Sequence, residues 1–193
     1  MSDSSRELIL NTLVNSQPPA DFDLLRQVAA GDEAAFAELY DLYASLVYNY
    51  LLRLVNEPAV AEEILQEVFL AMWRSARGFR AEAKVRTWLL RIAHHQAVSW
   101  LRRKRTVLWP DDELEQETVD SFEEDLAHVW QIEQLRGALV RLSPKHRAVI
   151  ELTFVQGLSY TEIAQVMNCP IGTVKSRMSY ALRHMNELLS QAS

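Results

Sequence analysis

The stretch Leu158-Ser159-Tyr160-Thr161-Glu162-Ile163-Ala164-Gln165-Val166-Met167, followed after a tight break by Ile171-Gly172-Thr173-Val174-Lys175-Ser176-Arg177, decides how the chain is read. Ser159 and Glu162 stand three apart at a helix start, the spacing of a capping box in which each side chain satisfies an orphan backbone donor. Ile163, Val174 and Met178 fall on the inner faces, and the small Ala164 lets two helices cross closely. Two short helices joined by a break of about three or four residues describe a helix-turn-helix, whose second helix can enter a major groove. Its first turns carry Thr173, Lys175, Ser176 and Arg177, hydroxyls and cations suited to phosphates and guanine edges. The plainer alternative is a helical hairpin with a solvated basic face.

Working outward, the apolar spacing stays helical. Glycine is scarce, 5 in 193 residues, whereas sheet-rich folds with tight turns normally need more. Asp32 is a good N-cap for a long helix in which Phe36, Leu39, Tyr40, Tyr43, Leu46, Val47, Tyr50, Leu51 and Leu54 recur at three and four. A second helix is predicted over 59–77, with Pro58 near its first turn and Gly78 as its stop. A third is predicted over 84–105, with Val85, Trp88, Leu89, Ile92 and Ala93 inside. Residues 106–121 have no period and read as a solvated linker. Leu126, Val129, Ile132, Leu135, Leu139 and Leu142 then mark a helix, and Ser143-Pro144 opens another that stops near Gly157. The last helix is predicted to run to about Leu189. The expected fold is all-α: residues 1–20 a flexible N-terminus, 21–106 one small helical domain, 107–121 an acidic flexible linker, and 122–193 the helix-turn-helix domain.

Charge falls in blocks. Residues 1–73 hold three bases and twelve acids, and residues 74–109 hold ten bases against Glu82 alone. Residues 110–133 hold ten acids and no Lys or Arg, and residues 134–193 carry seven bases and three acids. A free-standing DNA-binding domain is usually basic overall, because phosphate neutralisation supplies most of its affinity. Two basic segments in a chain of net charge −6 point to nucleic acid bound within a larger assembly. The stretch from Phe79 and Arg80 through Lys84, Arg86, Trp88, Arg91, His94, His95 and Trp100 to Arg102-Arg103-Lys104-Arg105 interleaves rings and cations. That pattern suits single strands, whose bases stack on rings while cations track the backbone, and a loop beside such a helix can hold a base taken out of the stack. Trp88 and Trp100 are expected in the core, and the arginines also fit a solvated face.

No catalytic residue set is visible: there is no P-loop, dinucleotide turn, nucleophile elbow or zincin helix. No cofactor and no metal are expected, since His94 and His95 diverge by about 100° on a helix and neither has a ligand type at i+4. Cys169, the sole cysteine, is read as a small buried residue rather than a redox switch. The opening MSDSSRELIL lacks the basic start and long apolar core of a secretory signal, and no apolar run is long enough to span a membrane. A soluble protein of a reducing compartment is expected.

These residues together resemble a group IV, extracytoplasmic-function (ECF) sigma factor of bacterial RNA polymerase. Ala61-Glu62-Glu63-Ile64-Leu65-Gln66-Glu67-Val68-Phe69-Leu70-Ala71-Met72-Trp73 is similar to the family's core-polymerase-binding helix. Phe79-Arg80, Thr87-Trp88-Leu89-Leu90-Arg91-Ile92-Ala93 and Leu101-Arg102-Arg103 are similar to its promoter-melting and minus-ten-reading segment. Leu142-Ser143-Pro144-Lys145-His146-Arg147 and the helix-turn-helix are similar to its minus-thirty-five-binding domain. The resemblance implies that the two domains are sigma domain-two-like and domain-four-like. Glu63, Gln66, Glu67 and Phe69 would bind core polymerase. Phe79, Arg80, Lys84, Arg86, Trp88, Arg91, His95, Arg102 and Arg103 would bind the minus-ten element, with a flipped base held by the loop after Phe79. Thr173, Lys175, Ser176, Arg177 and Tyr180 would read the minus-thirty-five element. The acidic linker would thread toward the RNA exit path.

The resemblance also implies a non-catalytic initiation factor, cytoplasmic and without membrane insertion of its own, restrained by an anti-sigma factor that is often anchored in the inner membrane. Tyr180 stands where the family often has Arg, Lys145-His146-Arg147 replaces a frequent Gln-Arg ending, and Asn168 stands where Gly is common. These departures bear on which minus-thirty-five sequence is read, not on the fold, since Asn tolerates a left-handed turn. Two other functions fit parts of the sequence: a dimeric helix-turn-helix regulator that binds its operator without polymerase, and a helical adaptor whose basic faces meet acidic proteins.

Overall fold

The computed structural model describes residues 20–81, 83–108, 135 and 137–190. Among these residues every regular element is helical. Helix α1, Ala20–Ala30, carries Asp21 and Asp23 in its first turn, where acids complement the exposed N–H groups of the helix end. It ends at Gly31, whose φ of +96° is one that a side chain would strain. Asp32 then caps α2, Glu33–Val55, by accepting from the N–H groups of Ala34 (2.8 Å) and Ala35 (3.1 Å). The predicted cap is the observed one.

Helix α2 is the spine of the N-terminal half. Leu39, Tyr43, Val47, Tyr50, Leu51 and Leu54 are buried along it at helical spacing, and α1, α3 and α4 all pack against it. Asn56 closes α2 in the left-handed region, φ 58°, donating its N–H to Leu52 O. Helix α3, Pro58–Ser75, opens with proline in its first turn and gives way to a 3₁₀ turn, Ala76–Gly78, where the sequence predicts continuous helix to residue 77. Helix α4 spans Val85–Leu108, three residues beyond its expected end. Val85, Leu89, Leu90, Ala93 and Ala97 are buried; Trp88 and Ile92, expected on the inner side, are only half-buried. The stretches 1–19 and 109–134, which hold most of the expected N-terminal segment, most of the linker and the helix marked by Leu126, Val129 and Ile132, lie outside the described residues.

The C-terminal half resumes with helical residues 137–141 and α5, Pro144–Ile150. A π-helical segment, Glu151–Val155, follows. Helix α6, Tyr160–Met167, has the predicted capping box, with Ser159 N–H donating to Glu162 Oε2 (3.0 Å) and Glu162 N–H to Ser159 Oγ (3.3 Å). Asn168 takes φ 49°, the left-handed turn its type allows, and α7 runs Ile171–Ser190. Ile163, Val174 and Met178 are buried as predicted. Helices α5 and α6 pack on α7, while α6 also packs on α4 and α5 on α2, so one continuous core joins the two halves. Among the described residues no helix is long and apolar enough to cross a membrane.

Candidate polymerase and nucleic-acid interfaces

Helix α3 presents Glu63, Gln66 and Glu67 to solvent, spaced so that they form one acidic stripe. Leu70, 43% exposed, extends that stripe one turn and is an apolar member the sequence reading did not single out. Phe69 does not belong to it. Its side chain is 2% exposed, with its ring 4.7 Å from that of Tyr40 and edge-on to Phe36 at 6.2 Å. The expectation that Phe69 touches polymerase is therefore corrected: it lies four residues after buried Leu65 and one after buried Val68, on the inward stripe, and supports the outer face from beneath.

The segment before α4 is built on an aromatic stack. The Phe79 ring sits between Trp88 (4.9 Å) and Phe22 (6.1 Å), and Arg80 beside it is exposed. Ala81 takes φ 56°, an uncommon conformation for a residue with a Cβ and one that concentrates at functional loops. Along α4, Trp88, Arg91, Ile92, His95 and Gln96 line a shallow open groove. Arg102 and Arg103 extend the exposed basic face. Burial and the charge of Arg91 hold His95 below the usual histidine range. Lys104 pairs with Glu57 and lies 5.2 Å over the half-buried Trp100 ring.

His94 faces the other way. It is buried and hydrogen-bonded through Nδ1 to the Tyr50 hydroxyl at 2.8 Å. Burial, with the nearby His95 and Arg177 charges, brings its pKa down to about 4, so it is neutral in the native protein near pH 7. Among the described residues no three His, Cys, Asp or Glu side chains converge as a metal would require.

On the helix-turn-helix, Lys175, Ser176 and Tyr180 are exposed, and Thr173 and Arg177 are half-buried. The Arg177 guanidinium donates to Cys169 Sγ at 3.7 Å, which fixes the start of α7 against the break. Two departures from the family pattern meet here. His146 of α5 stacks on Tyr180, 4.4 Å between ring centroids at 26°, and Arg183 lies 5.5 Å over the same Tyr180 ring. Ser143, the N-cap residue of α5, makes no side-chain cap bond and pairs its Oγ with His146 Nδ1 at 2.9 Å, and so orients the imidazole under Tyr180.

The structure also forms pairings that the sequence reading did not anticipate. Arg147, 4% exposed, donates to the carbonyls of Leu139, Val140 and Leu142 and, across the halves, of Arg53 and Leu54. Burial lowers its pKa to about 10 against the opposing pull of Glu151, which leaves it charged near neutral pH. Glu151 pairs with Arg53 at 3.0 Å. Arg86 Nη2 donates to the backbone carbonyl (2.7 Å) and Oε1 (2.9 Å) of Gln156, and Lys84 pairs with Glu162 at 3.4 Å. The sequence signal was a charged residue inside an apolar run on each side, Arg53 and Glu151.

Residues 39–107 match Sigma-70 region 2 and residues 132–185 match Sigma-70 region 4. The ECF RNA polymerase sigma factor SigK of Mycobacterium tuberculosis is 34% identical over 176 residues, covering 88% of this chain and 94% of that protein. SigK of Mycolicibacterium vanbaalenii is 32% identical over 174 residues, covering 88% and 89%. Among solved structures, the sigma factor RpoE of Bartonella quintana in complex with the anti-sigma factor NepR is 25% identical, with a TM-score of 0.66 over 80% of this chain and 96% of that one. CnrH, solved with the cytosolic domain of CnrY, shares the fold at 22% identity, with a TM-score of 0.68 over 90% of this chain and 99% of that one. With both sigma regions in order and relatives covered almost end to end, the chain belongs to the ECF RNA polymerase sigma factors.

Proposed function

We propose that this sigma factor divides its work among three surfaces. The observation that carries the assignment is the separation of one acidic helix face from two basic ones, on segments that match regions 2 and 4. Glu63, Gln66 and Glu67 on α3, with Leu70, bind a basic face of core RNA polymerase; opposite charge steers that encounter. The aromatic stack under Phe79, with Arg80, Lys84, Arg86, Trp88, Arg91, His95, Arg102 and Arg103, holds the minus-ten element as its strands separate, because rings stack bases while cations follow the phosphates. Lys175, Ser176, Arg177, Thr173 and Tyr180 contact the minus-thirty-five duplex.

Residues 21–106 and 122–193 act as the two domains and 107–121 as the link between them. The protein performs no catalysis of its own, works in the cytoplasm, and is restrained by an anti-sigma factor, as the complex of the Bartonella quintana relative with NepR supports. Where that partner is membrane-anchored, the sigma factor is held at the inner membrane.

The test is transcription from a pooled promoter library by purified core polymerase with and without this protein. Defined transcripts only in its presence, with start sites that align on two upstream elements, are the expected result. Absence of transcripts together with failure to bind core would overturn the assignment. Tight operator binding without polymerase would instead indicate a free-standing regulator.

A further inference from the structure

We propose that Phe22 of α1 is a stacking platform for a second unpaired base of the minus-ten element, the neighbour of the base held by the loop after Phe79. The proposal rests on the reading of that loop and α4 as the minus-ten strand site. It adds a residue from a helix that precedes the stretch matched to region 2, which begins at residue 39.

The ring series runs outward from α4. Trp88 meets Phe79 at 4.9 Å, and Phe79 meets Phe22 at 6.1 Å with the two planes tilted by 50°. Trp88 and Phe79 are half-buried, whereas Phe22 is 38% exposed, so the series offers an aromatic surface to water at its outer end. A single exposed ring is ordinary by itself. This one is continuous with the strand site, and the exposed Arg80 follows Phe79 in the chain. Such a ring can take any base, because every base has a π-face, while a cation nearby holds the phosphate. Of the two acids flanking Phe22, Asp21 is buried and Asp23 is paired with Arg26 at 3.8 Å, so no unpaired carboxylate fronts the ring.

The platform is fixed at both ends of its helix. Asp21, 2% exposed, accepts a 2.6 Å hydrogen bond from the Tyr43 hydroxyl of α2, which ties down the first turn of α1. Leu25 and Val28 bury the inward face of the same helix. At its far end, Arg77 Nε donates to Ala29 O at 2.9 Å, and Arg77 belongs to the 3₁₀ turn that leads into Phe79. The helix that carries Phe22 and the turn that precedes Phe79 are thereby fastened to each other. A ring held in place before the base arrives has little freedom left to lose on contact, and preorganisation of this kind favours binding.

The test uses the full chain assembled with core polymerase on a promoter recovered from the library. Single abasic sites are placed in turn along the unpaired strand of the minus-ten element, and the affinity of each complex is measured. With the native protein, the flipped base and the base next to it are each expected to cost about tenfold when removed. Phe22→Leu keeps an apolar contact with Phe79 but has no aromatic face. It is expected to bind intact DNA about tenfold more weakly, and to be indifferent to an abasic site at the second position while still sensitive at the first. Phe22→Trp is expected to restore both the affinity and the second sensitive position.

A residue that only props Phe79 would weaken every template alike and leave the pattern of sensitive positions unchanged. That result in a folded Phe22→Leu protein overturns the platform and leaves the minus-ten assignment standing. Circular dichroism checks that helix content is kept, and Phe22→Met takes the place of Phe22→Leu should the latter lose helix. If no position is sensitive in the native complex, or no promoter is recovered, the minus-ten assignment of the loop falls and the platform falls with it.

Discussion

Helices α4 and α7 are both basic and both face nucleic acid in the proposed assembly, yet they hold their cations differently. On α4 and the turn before it, Lys84, Arg86 and Lys104 are each engaged by protein acceptors, Glu162, Gln156 and Glu57. On α7, Lys175 and Ser176 stand exposed, and the nearest ordered partners, Arg177 with Cys169 and Tyr180 with His146, shape the surface without covering it. The difference teaches that basic composition alone does not define an open DNA site. Lys84 and Arg86 are held by acceptors of the C-terminal half, whereas Arg91, Arg102 and Arg103 of α4 are exposed, as Lys175 is on α7.

The comparison breaks most severely if Arg147, which joins the two halves through the Arg53 and Leu54 carbonyls, is removed. Arg147→Ala removes a buried guanidinium from five carbonyls and leaves Glu151 without its neighbour. The expected loss is about 3–5 kcal/mol, the range for breaking a buried charge network on one side. Urea denaturation followed by circular dichroism measures it. A loss under about 1 kcal/mol would mean that Arg147 is not structural and that the joining of the two halves rests on apolar packing alone.

Acid sharpens the comparison next, because His94 of α4 lies under the influence of Arg177 of α7. The native imidazole stays neutral down to a pKa of about 4, whereas the unfolded one protonates near 6.5. Between these values the unfolded state binds the extra proton, so stability is complete above about pH 6.5 and is lost as pH falls toward 4. The shift corresponds to about 3 kcal/mol. Denaturation at pH 7 and pH 4.5 should show a markedly steeper loss in the native chain than in His94→Gln; parallel losses would remove His94 as the cause.

Smaller and more selective effects follow at the surface. Lys175→Ala is expected to lower promoter-dependent transcription about tenfold by removing roughly 1–2 kcal/mol of contact, without a change in melting temperature. An adaptor that uses this helix only for protein contacts would leave duplex binding intact in the same variant. Smallest of all, Lys104→Ala is expected to cost under about 1 kcal/mol, since its pair with Glu57 is solvent-exposed. A larger loss would show that the Trp100 contact, not the ion pair, holds the end of α4.

What the amino-acid order determined on its own was local. Asp32 as a cap and the Ser159 and Glu162 box each depend on groups within about four residues, where spacing is read directly. The inward stripes of α2 and α7 followed from period alone, and so did the helix-turn-helix with its exposed Lys175 and Ser176. Phe69 was misplaced because a family motif names residues without saying which way each one faces, although its register with Leu65 held the answer. The pairing of Arg53 with Glu151, 98 residues apart, and of Arg86 with Gln156, 70 apart, was decided only by tertiary structure. Charge pairs across such separations leave no periodic trace in sequence. They form because packing α5 and α6 onto α2 and α4 buries polar groups that must find partners once water is excluded.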